Sequence, residues 1–137
     1  MTNLEIVQSM YAAFGRGDAD TFMSHLHDDV RWEQWDSNEA QRAAVPYLLP
    51  RNGKASVPGF LAAAGGLEMH DLRVLSFLAN ENQVAVEVEI EFTVKATGKR
   101  LRDQELHLWT LAGGKVTRLR HYIDTAKHIA ANEPAGG

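Results

Sequence analysis

Apolar residues in the first part of the chain recur with the period of a helix. The positions that share one face of this predicted helix are Leu4, Ile6, Val7, Met10, Tyr11 and Phe14. Glycines at positions 15 and 17 end the helix, because glycine readily adopts the backbone conformation that closes one. Asp18 predicts the N-cap of a short second helix. The acidic pair Asp28 and Asp29 ends that helix, and residues 30–35 are predicted to form a strand.

The pattern changes twice in the rest of the chain. Residues 36–53 have no regular period yet carry the apolar segment AVPYLLP, which predicts a loop that packs on a neighbour or covers a site. A short helix is predicted over 57–64, and strands over 67–78, 83–94, 101–111 and 115–123. Three helices and a strand followed by a four-stranded meander indicate one α+β domain. In such a domain the helices cover one face of a curved antiparallel sheet.

Strict alternation in the stretch 83–94 predicts which way this strand faces. Its apolar side carries Val84, Val86, Val88, Ile90, Phe92 and Val94, and its acidic side carries Glu87, Glu89 and Glu91. Successive side chains of a strand point to opposite faces of the sheet. The apolar side is therefore expected to face the helices, and the acidic side to face water or a partner.

A turn at residues 97–98 is predicted to pair this strand with the next. The resulting register places Val88 opposite His107 and Ile90 opposite Glu105. The residues of the second strand that then face inward are Asp103, Glu105, His107 and Trp109. Polar groups among valines need hydrogen-bond partners, a cavity, or both.

The last hairpin has two possible registers. A two-residue turn at 113–114 gives a cleaner apolar face but places two arginines on the core side with His107. A three-residue loop over 112–114 places His121 across from Glu105, and pairs Arg102 with Asp124 on the outer face. There the two arginines, at 118 and 120, join the side of the glutamates. We favour the three-residue loop, because opposite charges across a sheet attract.

Composition narrows the classes of function. The chain has 137 residues, 45% of them apolar, and a formal charge of −4, which is typical of one globular domain. The negative charge argues against a nucleic-acid or anionic-membrane partner. The absence of cysteine excludes disulfides, cysteine-bound zinc and thiol nucleophiles, and fits a cytoplasmic location. No signal peptide or membrane-spanning run is predicted.

Three segments carry a resemblance to a known family. They are VQSMYAAFGRGDADTFMSHLHDDVRWE, NGKASVPGFLAA and HLWTLAGGKVTRLRHYIDT. In their order and spacing they resemble the SnoaL-like branch of the nuclear transport factor 2-like superfamily, over most of the chain except residues 36–52. The resemblance implies a cone-shaped curved antiparallel sheet packed on three N-terminal helices, a pocket and a homodimer. It implies no single function, because the superfamily includes ketosteroid isomerases, polyketide cyclases, limonene-epoxide hydrolases, dehydratases and non-catalytic binding proteins.

Functional positions of the superfamily match this chain only in part. Gln34 stands where ketosteroid isomerases carry an aspartate base, and an amide cannot take up a proton. His107 aligns with the protonated aspartate of those isomerases and could likewise donate a hydrogen bond to an oxyanion. Val88 and Ile90 stand where epoxide hydrolases pair an arginine with an aspartate, which excludes that mechanism. His121 aligns with the carboxylate acid/base of hydrolases and polyketide cyclases.

The candidate site is therefore a set of inward-facing polar residues in a mostly apolar pocket. We expect His121, assisted by Glu105, to move a proton next to a carbonyl, because imidazole titrates near neutral pH. His107 and Gln34 would supply hydrogen bonds. The expected binding residues are Trp32, Gln34, Val88, Ile90, Asp103, Trp109 and Tyr11. The predicted activity is isomerisation, cyclisation or dehydration of a small hydrophobic molecule. The alternative is a non-catalytic ligand-binding or dimerisation module.

Neither a metal nor another cofactor is predicted. Two histidines and a carboxylate suit iron or zinc in ligand type, but His107, His121 and Glu105 are not expected to converge tightly enough. The remaining candidates, His25, His27 and His128, are predicted to lie at the surface. A homodimer is predicted through the flat outer face, which carries the glutamate row with Arg118, Arg120 and Tyr122.

Overall fold

Short-range sequence signals set the ends of the helices. The structure is a computed structural model, and it describes residues 1–134. Thr2 and Glu5 form a capping box at the start of the first helix, and Asp18 caps the second by accepting a hydrogen bond from the Thr21 amide. The helices are α1 (Asn3–Gly15), α2 (Ala19–Ser24), α3 (Glu39–Arg42), α4 (Val57–Ala64) and α5 (Thr125–Asn132), with 3₁₀ turns at Pro46–Leu48 and Lys54–Ser56.

Six strands form one curved, open sheet. They are β1 (Leu26–Trp32), β2 (Arg51–Asn52), β3 (Leu67–Ala79), β4 (Gln83–Val94), β5 (Lys99–Ala112) and β6 (Lys115–Tyr122). Their order in the sheet is β2-β1-β6-β5-β4-β3. Every neighbouring pair is antiparallel except β1 and β6, which run parallel. The predicted α+β class is confirmed, with α1 packed against the inner face of the sheet.

The structure differs from the predicted elements in three places. β1 begins at Leu26 rather than at residue 30, because Asp28 and Asp29 are exposed strand positions rather than helix breakers. The loop 36–53 contains α3, a 3₁₀ turn and β2. Helix α5 was not predicted, and Asp124 caps it by accepting a hydrogen bond from the Lys127 amide. Arg102 pairs with Glu91 at 3.4 Å, so the expected ion pair of Asp124 with Arg102 was wrong.

The register between β4 and β5 differs from the prediction by two residues. The turn has four residues, 95–98, so Val94 pairs with Lys99. As a result Glu105 lies opposite Val88, and His107 lies opposite Val86. A shift by two residues preserves the face on which every side chain lies. The predicted inward direction of the polar residues of β5 is therefore kept.

The turn between β5 and β6 is the two-residue form. Gly113 and Gly114 both have positive φ, 57° and 78°, as a type I′ turn requires, and Ala112 pairs with Lys115. The preferred three-residue loop was therefore wrong. Both residues of this turn occupy the left-handed region, which glycine adopts without the steric cost that other residues incur.

A bulge in β6 nevertheless turns His121 inward. The register shifts by one residue where Val116 is followed by Arg118 in the pairing with β5, which leaves Thr117 as the extra residue. An extra residue in one strand reverses the facing of every later side chain in that strand. His121 then lies opposite His107, not opposite Glu105 as predicted.

Two apolar clusters surround the site. The first lies beneath α1 and α2 and includes Met10, Trp32 and Trp109. The second joins the loop 36–53 to α5 and includes Tyr47 and Phe92. The apolar loop is thus packed on a neighbour, and it also reaches the wall of the cavity described below. Within residues 1–134, no helix is long and apolar enough to cross a membrane.

The outer face is organised by other ion pairs than those predicted. Glu89 pairs with Arg73, and Glu91 pairs with Arg100 on β5. Arg118 and Arg120 lie on the same face as the glutamate row, as predicted. Arg120 donates from Nε to the Gln34 carbonyl at 2.5 Å. The homodimer stays a prediction.

Candidate functional site

A cavity of about 90 Å³ lies between the inner face of the sheet, α1, α4 and the 3₁₀ turn Pro46–Leu48. Its walls are mostly aromatic and aliphatic. The residues of the wall that carry polar atoms are Tyr11, Trp32, Tyr47, Glu105, His107, Trp109, His121 and His128. A polar atom of the wall can meet a ligand only if no hydrogen bond within the protein already occupies it.

One branch of the polar network fixes the state of His107. The Trp109 indole donates to the Tyr11 hydroxyl oxygen at 3.1 Å, and that hydroxyl lies 2.5 Å from Nδ1 of His107. The Glu105 carboxylate is ionised and can only accept, so Nε2 of His107 carries a proton and donates to Glu105 at 2.9 Å. Burial lowers the pKa of His107, so the ring is neutral and Nδ1 accepts the proton of the Tyr11 hydroxyl. Both ring nitrogens are therefore occupied.

His121 depends on Glu33, a residue that the sequence reasoning did not select. Glu33 is fully buried, and its Oε1 accepts hydrogen bonds from Nδ1 and from the backbone amide of His121, the latter at 2.7 Å. The other carboxylate oxygen accepts from the Trp35 indole at 3.1 Å. Among residues 1–134, the hydrogen bonds of the His121 ring engage only Nδ1. Nε2 of His121 is thus free at the cavity wall.

A backbone irregularity brings Glu33 into the interior. Trp32 and Glu33 are consecutive, yet both are buried, whereas alternation along a strand would point one of them outward. Glu33 has φ of +56°, the left-handed region that few residues other than glycine adopt. This conformation follows the last residue of β1 and turns the carboxylate inward. Gln34 then lies outside the cavity, and the expectation that it donates to a ligand was wrong.

The third part of the network centres on His128, which reaches the cavity wall from α5. His128 donates from Nε2 to Asp103 at 2.8 Å and to Glu105 at 3.0 Å. Its Nδ1 lies 2.8 Å from the Tyr47 hydroxyl, to which Asn132 also donates. His128 is 1% exposed, so the prediction that it lies at the surface was wrong. Its place on the unpredicted helix α5 is the reason.

Burial and the carboxylates set the protonation of the three histidines. Burial and the charge of His121 lower the pKa of His107. For His121 burial acts in the same direction, but the buried Glu33 carboxylate outweighs it and raises the pKa. For His128 burial is likewise outweighed, by hydrogen bonds to Asp103 and Glu105, and the pKa rises to about 9. His128 is therefore an imidazolium at neutral pH.

Burial and hydrogen bonds also set the ionisation of Glu105 and of the two tyrosines in the network. Burial alone would raise the pKa of Glu105, but hydrogen bonds from His107 and His128 lower it. Burial raises the pKa of Tyr11 and Tyr47. Glu105 is thus ionised and both phenols are neutral over the physiological range.

The structure brings together most, but not all, of the predicted site residues. Those at the cavity wall are His121, His107, Glu105, Trp32, Trp109, Tyr11 and Ile90. Asp103 is buried behind His128, and Val88 is packed in the apolar core rather than at the wall. The sequence reasoning missed Glu33, Tyr47 and His128. The aspartate before Thr125, a good N-cap, could have revealed α5 and with it His128.

One group of side chains has the composition of a metal site. Asp103, Glu105 and His128 each offer a ligand atom, and these atoms lie within 4.8 Å of one another. The three groups differ from the set considered from sequence, which contained His107 and His121. Here the Nε2 proton of His128 lies between the two carboxylates, so a cation would have to displace it.

The comparisons with known proteins agree with this architecture. The family description "SnoaL-like domain" matches residues 7–119, so the chain belongs to the SnoaL-like domain family. A nuclear transport factor 2-like protein from Burkholderia xenovorans LB400 is 27% identical, with a TM-score of 0.76 over 96% of this chain and 95% of that one. No curated protein matches the chain.

Two further structures carry more specific names. TerC, co-crystallised with polyporic acid, is 25% identical, with a TM-score of 0.73 over 94% of this chain and 96% of that one. A candidate polyketide cyclase from Xanthomonas campestris pv. campestris is 21% identical, with a TM-score of 0.70 over 93% of each chain. At such identities the likeness concerns the fold, and function has to be argued from the site.

Proposed function

We propose that this SnoaL-like protein binds a small, neutral, hydrophobic carbonyl compound and moves a proton at the carbon next to the carbonyl. Isomerisation, cyclisation and dehydration through an enol all contain this step. The observation that carries the proposal is the pairing of His121 with Glu33. It holds Nδ1 of the imidazole on a buried carboxylate and leaves Nε2 free at an apolar cavity wall.

The proposed chemistry needs one imidazole. In its neutral form His121 takes the proton of the C–H bond on Nε2, and the electron pair of that bond forms the enolate. The imidazolium is stabilised by the Glu33 carboxylate, and it returns the proton to carbon or to oxygen. A carboxylate that holds Nδ1 fixes the tautomer and orientation in the same way in other acid/base histidines.

His107 has a positioning role in this proposal. Its ring lies 4.3 Å from that of His121, centroid to centroid, at an interplanar angle of 75°. Because Tyr11 and Glu105 occupy both of its nitrogens, it cannot exchange a proton without breaking one of these bonds. It thus presents a fixed wall against which His121 is held.

The ligand class follows from charge and space. The imidazolium groups at the cavity are paired with buried carboxylates, so an anionic ligand would find no unpaired positive charge. The cavity is smaller than the roughly 300–1,000 Å³ of most ligand pockets, which favours one or two fused rings unless the walls move. The name of the candidate polyketide cyclase among the structural neighbours supports a carbonyl-bearing cyclic compound.

Deuterium exchange into indan-2-one provides the test. This flat ketone has exchangeable protons beside its carbonyl, and NMR in D₂O follows their loss. We expect the wild-type protein to accelerate the exchange, and His121→Asn to lower the rate about 100-fold. The rate should rise with pH through the pKa of His121, because the neutral ring is the base.

His70→Asn is the matched control, because His70 is exposed on β3 and bonded to Thr93. It should leave the exchange rate unchanged. Exchange by His121→Asn at the wild-type rate would remove the mechanism.

A non-catalytic ligand-binding module is the second candidate function. The observation that favours it is the saturation of the network, in which only His121 among the cavity histidines of residues 1–134 retains a free ring nitrogen. Tight binding of indan-2-one with exchange no faster than in buffer would select this second function.

A further inference from the structure

Trp32 carries a hydrogen-bond donor that no described residue accepts. Its side chain is 1% exposed and forms part of the cavity wall. Within residues 1–134, Nε1 of Trp32 has no hydrogen-bond partner. A buried donor left without an acceptor is costly and uncommon.

The other two indoles of the chain behave differently. Trp109, in the same cavity, donates to the Tyr11 hydroxyl, and Trp35 donates to Glu33. The chain contains three tryptophans, so Trp32 alone has an unused N–H. A phenylalanine would supply the apolar bulk of Trp32 without this cost, and the donor therefore calls for an acceptor from outside the chain.

Trp32 and His121 are both neighbours of one phenyl ring, that of Phe60. The Phe60 centroid is 5.0 Å from that of Trp32 and 6.2 Å from that of His121, to which it is nearly parallel. Because all three side chains line one cavity, a flat ligand that packs against Phe60 is within reach of both groups. Trp32 also meets Trp109 edge-on at 5.7 Å, which fixes the indole plane.

We infer that the indole N–H of Trp32 binds the carbonyl oxygen of the ligand whose neighbouring carbon gives its proton to His121. The inference rests on the proposed function and adds the oxygen-binding residue. When the C–H bond breaks, its electron pair forms the C=C bond of the enolate and negative charge gathers on oxygen. A neutral donor that is already desolvated stabilises that charge without first losing a bond to water.

The test compares two probes of the same skeleton. Indan-2-one has the carbonyl oxygen, and indane carries a CH₂ group in its place. In the wild-type protein and in Trp32→Phe, titration calorimetry or tryptophan fluorescence would give both affinities. We expect Trp32→Phe to lower the ratio of ketone affinity to hydrocarbon affinity about fivefold, the value of one neutral hydrogen bond. The ratio cancels the effect of the extra space that phenylalanine leaves.

Trp109→Phe is the matched control. It makes the same change of side chain in the same cavity, but its indole donates to Tyr11 inside the protein. We expect it to weaken both probes equally and to leave the ratio unchanged. Three results would overturn the inference: an unchanged affinity ratio in Trp32→Phe, an equal fall of the ratio in Trp32→Phe and Trp109→Phe, or no binding of either probe.

A measurement on the wild-type chain covers the case in which Trp32→Phe fails to fold. The indole N–H resonances of the three tryptophans can be assigned with Trp35→Phe and Trp109→Phe. Indan-2-one should move the Trp32 resonance downfield, and indane should not. Failure of the two proposals remains distinguishable. Selective binding without proton exchange contradicts catalysis alone, whereas exchange with an unchanged affinity ratio contradicts the role of Trp32 alone.

Discussion

His121 and His128 are both histidines next to buried carboxylates, and the comparison between them separates chemistry from architecture. His128 has a partner at each ring nitrogen, Tyr47 on one side and two carboxylates on the other. His121 has one partner, Glu33, and one free nitrogen at the cavity. A carboxylate raises the pKa of both imidazoles. The number of unsatisfied ring atoms decides which imidazole can meet a ligand.

Replacing His128 by glutamine should give the largest effect. Glutamine keeps a hydrogen-bonding amide but no charge, so Asp103 and Glu105 would stay buried without a counter-ion. Breaking a buried ion pair in this way costs about 3–5 kcal/mol. We expect that loss in the free energy of unfolding, measured by urea denaturation. His27→Gln, on an exposed residue, should stay within about 0.5 kcal/mol of the wild type.

The same group predicts how stability depends on pH. The pKa of His128 is about 9 in the folded chain against an ordinary 6.5. A raised pKa stabilises the fold fully below about pH 6.5, and the contribution is lost as pH rises towards 9. The gap corresponds to about 3 kcal/mol, the same interaction as above and not an addition to it. Urea denaturation at both pH values should show this loss in the wild type and not in His128→Gln. Parallel curves for the two proteins would contradict the assignment.

At the cavity, Glu33→Gln should lower the pKa of His121. The amide oxygen still accepts the two N–H groups of His121 but no longer supplies the negative charge, so we expect the pKa of His121 to fall. NMR titration of the imidazole measures it directly, and the pH midpoint of deuterium exchange should move by the same amount. Glu39→Gln, an exposed glutamate on α3, should change neither. If the pKa from the NMR titration moved but the pH midpoint of exchange did not, or the reverse, His121 would not be the exchanging base.

The smallest effect is expected at Tyr11, whose hydrogen bonds to Trp109 and His107 join neutral groups. Tyr11→Phe leaves the Trp109 indole and Nδ1 of His107 without their partner, at a cost of about 1–2 kcal/mol. The deuterium exchange rate should fall less than tenfold, because His121 keeps Glu33. Tyr122→Phe is the control, since Tyr122 is 40% exposed. A loss of exchange as large as in His121→Asn would instead place Tyr11 in the proton transfer.

The sheet could be predicted from the sequence because alternation is insensitive to the details of turns. The β4–β5 register was wrong by two residues, yet Glu105 and His107 still face inward, since a shift by two preserves facing. His121 was placed inward for a reason that the structure does not support. The turn at Gly113 and Gly114 alone would have turned it outward, and the bulge at Thr117 reverses the direction again.

Glu33 and His128 were missed because each departs from the period that located the other residues. Glu33 follows the inward Trp32 directly, and only a left-handed backbone brings the two together. No pattern of apolar residues announces such a conformation at a glutamate. His128 lies on α5, whose eight residues include few large apolar ones. A short helix of this composition is stabilised by the surface that it covers, and that surface is not visible in the local sequence.

The bulge in β6 has a consequence for changes of length. In an ordinary strand, deleting one residue sends every later side chain to the opposite surface. In β6 the deletion of Thr117 would make the pairing with β5 regular, and the side chain of His121 would still point inward. On its β5 side the strand therefore offers a position at which a shortening by one residue preserves the facing of the interior side chains.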